Sequence, residues 1–137
     1  MRIVFICGNL QPERNGVGDY TRRLGIACQQ LGCEVALVAL HDHWVSEPDE
    51  GMQQGLPYLR LPAKPLEPEQ IMRARKWVAR REPDWISLQF VPYAFHAKGL
   101  PWTLPQVLRS LGGTAKWQIM FHELWIGESI GYGLKDR

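Results

Sequence analysis

The stretch Ile3–Cys7 is apolar at every position, rich in β-branched and aromatic side chains, and halts at Gly8. A run of that kind offers no polar face to water, so it predicts a strand buried on both faces, the setting of a parallel sheet covered by helices. The residues that follow agree. Asp19 opens a segment in which Tyr20, Leu24, Ala27, Cys28 and Leu31 recur at helical spacing. Gly32 stands where a helix ends in a left-handed residue, and Glu34–Leu40 reads as a second buried strand. Strand, helix and strand in this order make a βαβ unit, whose strands are parallel and whose crossover is almost always right-handed.

The alternation continues down the chain. Residues 41–55 read as a loop, Tyr58–Leu61 as a short strand, and Pro62, Pro65 and Pro68 punctuate the way to a helix. That helix is expected from Pro68 to Arg81 or Glu82, with Ile71, Ala74 and Val78 as its buried stripe and Pro83 as its stop. Trp85–Phe90 is a further strand. After a loop rich in proline and aromatics through Trp102 come a helix over Thr103–Leu111, closed by Gly112 and Gly113, and a last strand Lys116–Phe121 that ends in His122 and Glu123. There is no linker and no internal repeat. The expectation is one α/β domain over residues 1–137: a doubly wound, mainly parallel, Rossmann-like sheet with helices on both faces.

Composition narrows the function. A chain of 45% hydrophobic and 22% charged residues can build a globular core, and a net charge of +2 is too near balance to recognise nucleic acid through bulk charge. The longest wholly apolar run, Val35–Leu40, is far short of the ~20 residues needed to span a bilayer. Cys7, Cys28 and Cys33 lie in or beside apolar segments without paired metal spacing, and read as reduced thiols of a cytoplasmic protein.

In open parallel sheets, ligands bind outside the carboxyl ends of the strands. This selects the loop from Gly8 to Gly18, the one from His41, the one from Phe90 to Trp102 and the one from His122. The first ends Asn15-Gly16-Val17-Gly18-Asp19-Tyr20 directly before a helix. Its two glycines allow backbone N–H groups close to a ligand, and a helix N-terminus favours negative charge, so the pattern suits a diphosphate. It is neither the dinucleotide G-x-G-x-x-G nor a Walker loop, and a plain turn with Asp19 capping the helix fits the spacing equally well. His41-Asp42-His43 holds metal-ligating residue types, but adjacent strand-end residues point to different sides and no third ligand is identifiable, so no metal is expected. Arg73, Lys76 and Arg80 form a basic stripe beside Trp77, either a solvated face or a peripheral contact with the anionic inner face of a membrane.

The opening strand, the loop ending Asn15-Gly16-Val17-Gly18-Asp19-Tyr20-Thr21 and the continuation from Leu24 to Val35 resemble the start of GT-B-fold glycosyltransferases of the large retaining family 4. Two later stretches are similar to that family in the same order. They are Pro83-Asp84-Trp85-Ile86-Ser87-Leu88-Gln89-Phe90-Val91-Pro92-Tyr93, continuing to Lys98-Gly99-Leu100-Pro101, and Phe121-His122-Glu123-Leu124-Trp125. The resemblance implies transfer of a sugar from a nucleotide-sugar to a glycan, lipid-linked or small-molecule acceptor, without a cofactor or bound metal, in a cleft between two Rossmann-like domains. It implies that Gly16, Val17, Gly18 and Asp19 form the loop facing the donor phosphates. His122 is then the catalytic-site histidine near the transferred sugar, with Gln89, Tyr93 and Glu123 on the acceptor side. Plainer roles stay open: His122 satisfying a strand-end backbone group, Tyr93 as a core aromatic, Glu123 as a solvated residue.

In that family a C-terminal domain with paired glutamates holds the nucleotide-sugar. This sequence ends at Arg137 without one. The expectation is therefore an acceptor-side half, inactive alone, with apolar surface near the last strand that favours self-association. Set against it are a non-catalytic Rossmann-like module that binds a nucleotide or sugar phosphate, and an interaction protein that docks through the cleft face.

Overall fold

A computed structural model of the chain describes residues 1–123. In chain order the elements are β1 (Arg2–Cys7), α1 (Gly16–Gln30), β2 (Glu34–Asp42), β3 (Asp49–Gln53) and β4 (Leu56–Pro62). They are followed by α2 (Pro68–Ala79), β5 (Trp85–Phe90), α3 (Pro92–Phe95), α4 (Leu104–Gly112) and β6 (Lys116–Phe121). The strands form a single six-stranded sheet in the order β3-β4-β2-β1-β5-β6. β1 lies in its middle, parallel to β2 on one side and to β5 on the other, with Ile3–Ile6 facing Val35–Val38 and Trp85–Leu88. β2 pairs parallel with β4 and β5 with β6, so among the described residues only the edge strand β3 runs antiparallel.

Alternation of side chains divides the core between the two faces. One face packs Val4, Ile6, Ala36, Val38, Ile86 and Leu88 beneath α2 and α4, which contribute Ala74, Trp77, Val78, Leu104 and Leu111. The other packs Ile3, Phe5, Cys7, Val35, Leu37 and Ala39 beneath α1. Along β5 and β6 that second face turns polar, carrying Ser87, Gln89, Gln118 and His122. β6 forms the far edge, where Trp117, Ile119, Met120 and Phe121 are all exposed.

Several expectations are corrected. Residues 41–55 are not one continuous loop: β2 runs on to Asp42, residues 43–48 connect it to β3, and Asp49–Gln53 pairs with β4 across a two-residue turn. Gln54 and Gly55 in that turn both have positive φ (50° and 79°), the geometry that suits the twist of a tight hairpin. β3 escaped the pattern because it is polar and exposed on alternate residues. Helix α1 starts at Gly16 rather than Asp19, and its cap is Asn15. Its buried residues are Gly18, Thr21, Arg22 and Gly25, not the apolar set with helical spacing, of which Tyr20 and Leu31 are exposed. These four recur at i, i+3, i+4 and i+7, but they are small or polar, so a hydrophobic search passes over them. Gly25 is needed for this approach, since a Cβ there would sit 3.0 Å from Leu56 Cδ1 and 3.2 Å from Val35 Cγ1.

Helix α2 buries Ala74, Trp77 and Val78, with Ile71 only half-buried. Among the described residues no helix is long and apolar enough to cross a membrane.

Candidate functional site

The carboxyl ends of β1, β2, β5 and β6 form one rim of the sheet, and the N-terminus of α1 rises from it. The loop after β1 is cross-braced from below. Leu10, wholly buried, donates its N–H to Asp42 Oδ2 (3.1 Å), and its carbonyl accepts from Arg22. Asp42 also accepts from Arg60 Nε (2.7 Å), Arg60 Nη2 (3.1 Å) and the Trp44 N–H (3.0 Å). Burial alone would raise the Asp42 carboxyl, but Arg60 and the two N–H groups outweigh it and hold it below the usual carboxylate range. Arg22 spans the other side, bound to Asp19 (2.8 Å) and to Gln53 (3.1 Å). Asp19 in turn accepts from the Glu13 N–H (3.1 Å), and Arg22 above all depresses its pKa. Beneath this loop, burial pushes the Cys7 thiol up to about 12.

The two glycines at the start of α1 have different tasks. A Cβ on Gly18 would lie 2.2 Å from the Asn9 carbonyl oxygen, so Gly18 lets the helix seat on the loop. Its N–H is already taken by the Asn15 cap at 2.8 Å. Gly16 is exposed, and nothing stands within 4 Å of where its Cβ would be. Among the described residues the N–H groups of Gly16 and Val17 have no protein acceptor, as expected of the first turn of a helix. Of the expected phosphate loop, then, Gly16 and Val17 present open donors, whereas Gly18 and Asp19 hold the loop itself together.

His122 is half-buried at the end of β6, on the same rim. Its backbone N–H does satisfy a strand-end group, the Phe90 carbonyl (3.0 Å), but its ring makes separate contacts. The ring meets Tyr20 of α1 edge-on, with centroids 5.0 Å apart, which ties β6 to the helix that begins at Gly16. Its Nε2 lies 2.9 Å from Gln89 Oε1. The Gln89 amide donates to Ser87 Oγ (2.9 Å), and Ser87 Oγ–H donates to Gln118 Oε1. Gln89 is 1% exposed and stands behind His122.

Tyr93 and Glu123 are exposed near this rim, and neither is drawn into the hydrogen bonds around His122. The last motif's Leu124 and Trp125 lie outside the described residues. Gly8, where the first strand halts, has a position fixed by packing: a Cβ there would stand 2.5 Å from the Ala94 carbonyl, so only glycine admits α3 over the end of β1. Arg22 and Arg60 were missed as well, and Asp42 stood out only as a metal-ligating residue type. Their signal was at most a charge inside an apolar pattern.

Two other sequence readings meet the structure here. Asp42 of His41-Asp42-His43 points inward to Arg60, while the two imidazoles meet edge-on at 4.9 Å. No group of three or more His, Cys, Asp or Glu that could hold a metal occurs among the described residues. In the basic stripe, Arg73 pairs with Glu50 at 2.9 Å, and Trp77, 2% exposed, is core with the Arg81 guanidinium over its ring. A broad groove of about 960 Å³ opens at the opposite end of the strands, lined by Arg2, Asp84, Arg109 and Lys116 among others. It includes none of the rim residues, and its Arg2 is committed to Glu82 and Asp84.

No protein-family model matches the sequence, and no curated protein matches it significantly. Solved structures do match in fold. Sucrose-phosphate synthase from Thermosynechococcus elongatus superposes with a TM-score of 0.53 at 18% identity, over 97% of this chain and 35% of that one. The catalytic domain of starch synthase IV from Arabidopsis thaliana, bound to ADP and acarbose, superposes with a TM-score of 0.50 at 20% identity, over 87% of this chain and 33% of that one. The chain thus spans about a third of the length of these structures. With its mainly parallel six-stranded sheet, it has the fold of a Rossmann-like part of a GT-B architecture.

Proposed function

We propose that this chain forms the acceptor-side half of a glycosyltransferase that moves a sugar from a nucleotide-sugar to a glycan, lipid-linked or small-molecule acceptor. The observation that carries the reading is the contact of Tyr20 with His122, which puts the open first turn of α1 and the β6 histidine on one rim. The Gly16 and Val17 N–H groups, at the positive end of a 15-residue helix, suit the diphosphate of a donor. His122 suits a hydroxyl of the sugar being transferred. The fold likeness to two sugar-transferring synthases supports the same reading.

On this reading the nucleotide is held mainly by a further domain that faces the rim. Transfer needs donor and acceptor fixed together in a cleft that excludes water, and loss of that positioning forfeits about 7–11 kcal/mol of the barrier reduction. The chain by itself should bind a nucleotide-sugar weakly and transfer nothing. The test is an NMR titration of the ¹⁵N-labelled chain with a panel of nucleoside-diphosphate sugars, followed by mass spectrometry for product after adding candidate acceptors. Shifts confined to Gly16, Val17 and His122 without product are expected. Shifts confined to the groove at the opposite end of the strands would overturn the site. Tight nucleotide binding by the chain alone would instead favour a binding module.

A further inference from the structure

We infer that Gln118, an exposed residue of β6, sets which ring nitrogen of His122 carries the proton, acting through Ser87 and Gln89. The four side chains form one unbroken chain on the α1 face of β5 and β6: His122 Nε2 to Gln89 Oε1 at 2.9 Å, Gln89 Nε2 to Ser87 Oγ at 2.9 Å, and Ser87 Oγ to Gln118 Oε1. The parallel register of β5 and β6, which sets Ser87 opposite Gln118 and Gln89 opposite Met120, holds them in line.

The direction of every hydrogen bond in such a chain follows from either end. A hydroxyl has one proton to give, and a primary amide donates only from nitrogen and accepts only at oxygen. With Gln118 Oε1 accepting from Ser87, the serine oxygen is left to accept from the Gln89 amide. Gln89 then turns its oxygen to His122, and Nε2 must be the protonated nitrogen of the neutral ring. Ser87 is 5% exposed and Gln89 1% exposed, so water is a poor substitute for any of these partners, and an unmatched buried polar atom is costly. Among the described residues Nδ1 makes no hydrogen bond, so the tautomer leaves it as an acceptor at the rim. Resting on the proposed function, this makes Gln118, Ser87 and Gln89 positioning residues that fix His122 to accept from a sugar hydroxyl rather than donate to a sugar oxygen.

Gln118 is exposed, so it can be changed without opening the core. Gln118→Glu can only accept and keeps the direction of the chain. Gln118→Lys can only donate, which makes Ser87 donate to Gln89, turns the Gln89 amide over and leaves Nδ1 as the protonated nitrogen. The experiment is long-range ¹H–¹⁵N NMR of the imidazoles in the ligand-free chain near pH 8, above the ordinary histidine pKa of about 6.5. The His122 signal is assigned by its loss in His122→Gln. The wild type and Gln118→Glu should be mostly Nε2–H, and Gln118→Lys mostly Nδ1–H, with the ratio reversed by roughly five-fold or more. Because an unconstrained neutral imidazole already favours the Nε2–H form, the lysine variant is the deciding arm. In a Ser87→Ala background Gln118→Lys should no longer change the tautomer.

The same tautomer in wild type and Gln118→Lys would overturn the inference. So would a reversal that persists without the Ser87 hydroxyl, since the lysine would then act through its field. The readout involves no nucleotide-sugar, so failure of the transferase reading leaves it intact, and its own failure leaves that reading intact.

Discussion

The loop after β1 and the end of β6 meet at one rim, yet they are held by opposite means. The first is locked from beneath by two ion pairs, Asp42 with Arg60 and Asp19 with Arg22, and by a backbone contact that tolerates no side chain at Gly18. The second is the end of β6, the last strand among the described residues, with Ile119, Met120 and Phe121 exposed and a thread of hydrogen bonds behind His122. The difference teaches that one side of the rim is built as a fixed cradle. The other has its histidine set by proton order, a weaker but adjustable constraint.

The brace under the first loop should be the costliest feature to break. Asp42→Ala strands the Arg60 guanidinium and the Leu10 N–H, and loss of one partner of a buried pair typically costs about 3–5 kcal/mol. Urea unfolding at neutral pH measures it, and a loss below about 1 kcal/mol would show that the loop does not depend on the brace. The sign of its pH dependence is fixed. The Asp42 pKa is depressed in the folded chain, so its contribution is fully present above the unfolded value of about 3.9 and is lost as pH falls through the folded value. The gap between wild type and Asp42→Ala should therefore begin to narrow below about pH 4 and go on narrowing as pH falls through the depressed folded value.

A smaller effect separates the two glycines. Gly18→Ala forces a Cβ against the Asn9 carbonyl and should cost about 1–3 kcal/mol, whereas Gly16→Ala, with open space around it, should stay within about 0.5 kcal/mol of wild type. Equal costs in thermal or urea unfolding would erase the distinction drawn between a seating glycine and an open one.

The smallest effect is expected at the other side of the rim. Ile119→Thr removes an exposed apolar group from β6 and should change unfolding free energy by no more than about 0.5 kcal/mol. A loss comparable to that of Asp42→Ala would mean that this strand is packed in solution, against a second copy for example, and light scattering of the same samples would identify it.

Much of the scaffold was legible because it rests on local pattern. Trp85–Phe90 and Lys116–Phe121 were bounded correctly, since short segments of mostly apolar residues between turn residues leave few other assignments. His122 and Gly16 could be placed on one rim from strand polarity alone. β3 could not be read, because an exposed polar strand carries no burial signal and exists only through its pairing with β4.

The sequence by itself determined the central parallel strands and the helix ends at Gly32 and Gly113, where φ is 92° and 52°. Each follows from the burial demand or backbone freedom of a few adjacent residues. Only the tertiary structure decided which side of α1 is buried, that Gly18 seats the helix against the Asn9 carbonyl, and that Gln89 is buried behind His122. The physical reason is distance along the chain. Leu10 finds Asp42 32 residues away, and His122 finds Gln89 33 residues away. A polar side chain acquires its role from the group the fold places opposite it, and no local period in the sequence encodes that partner.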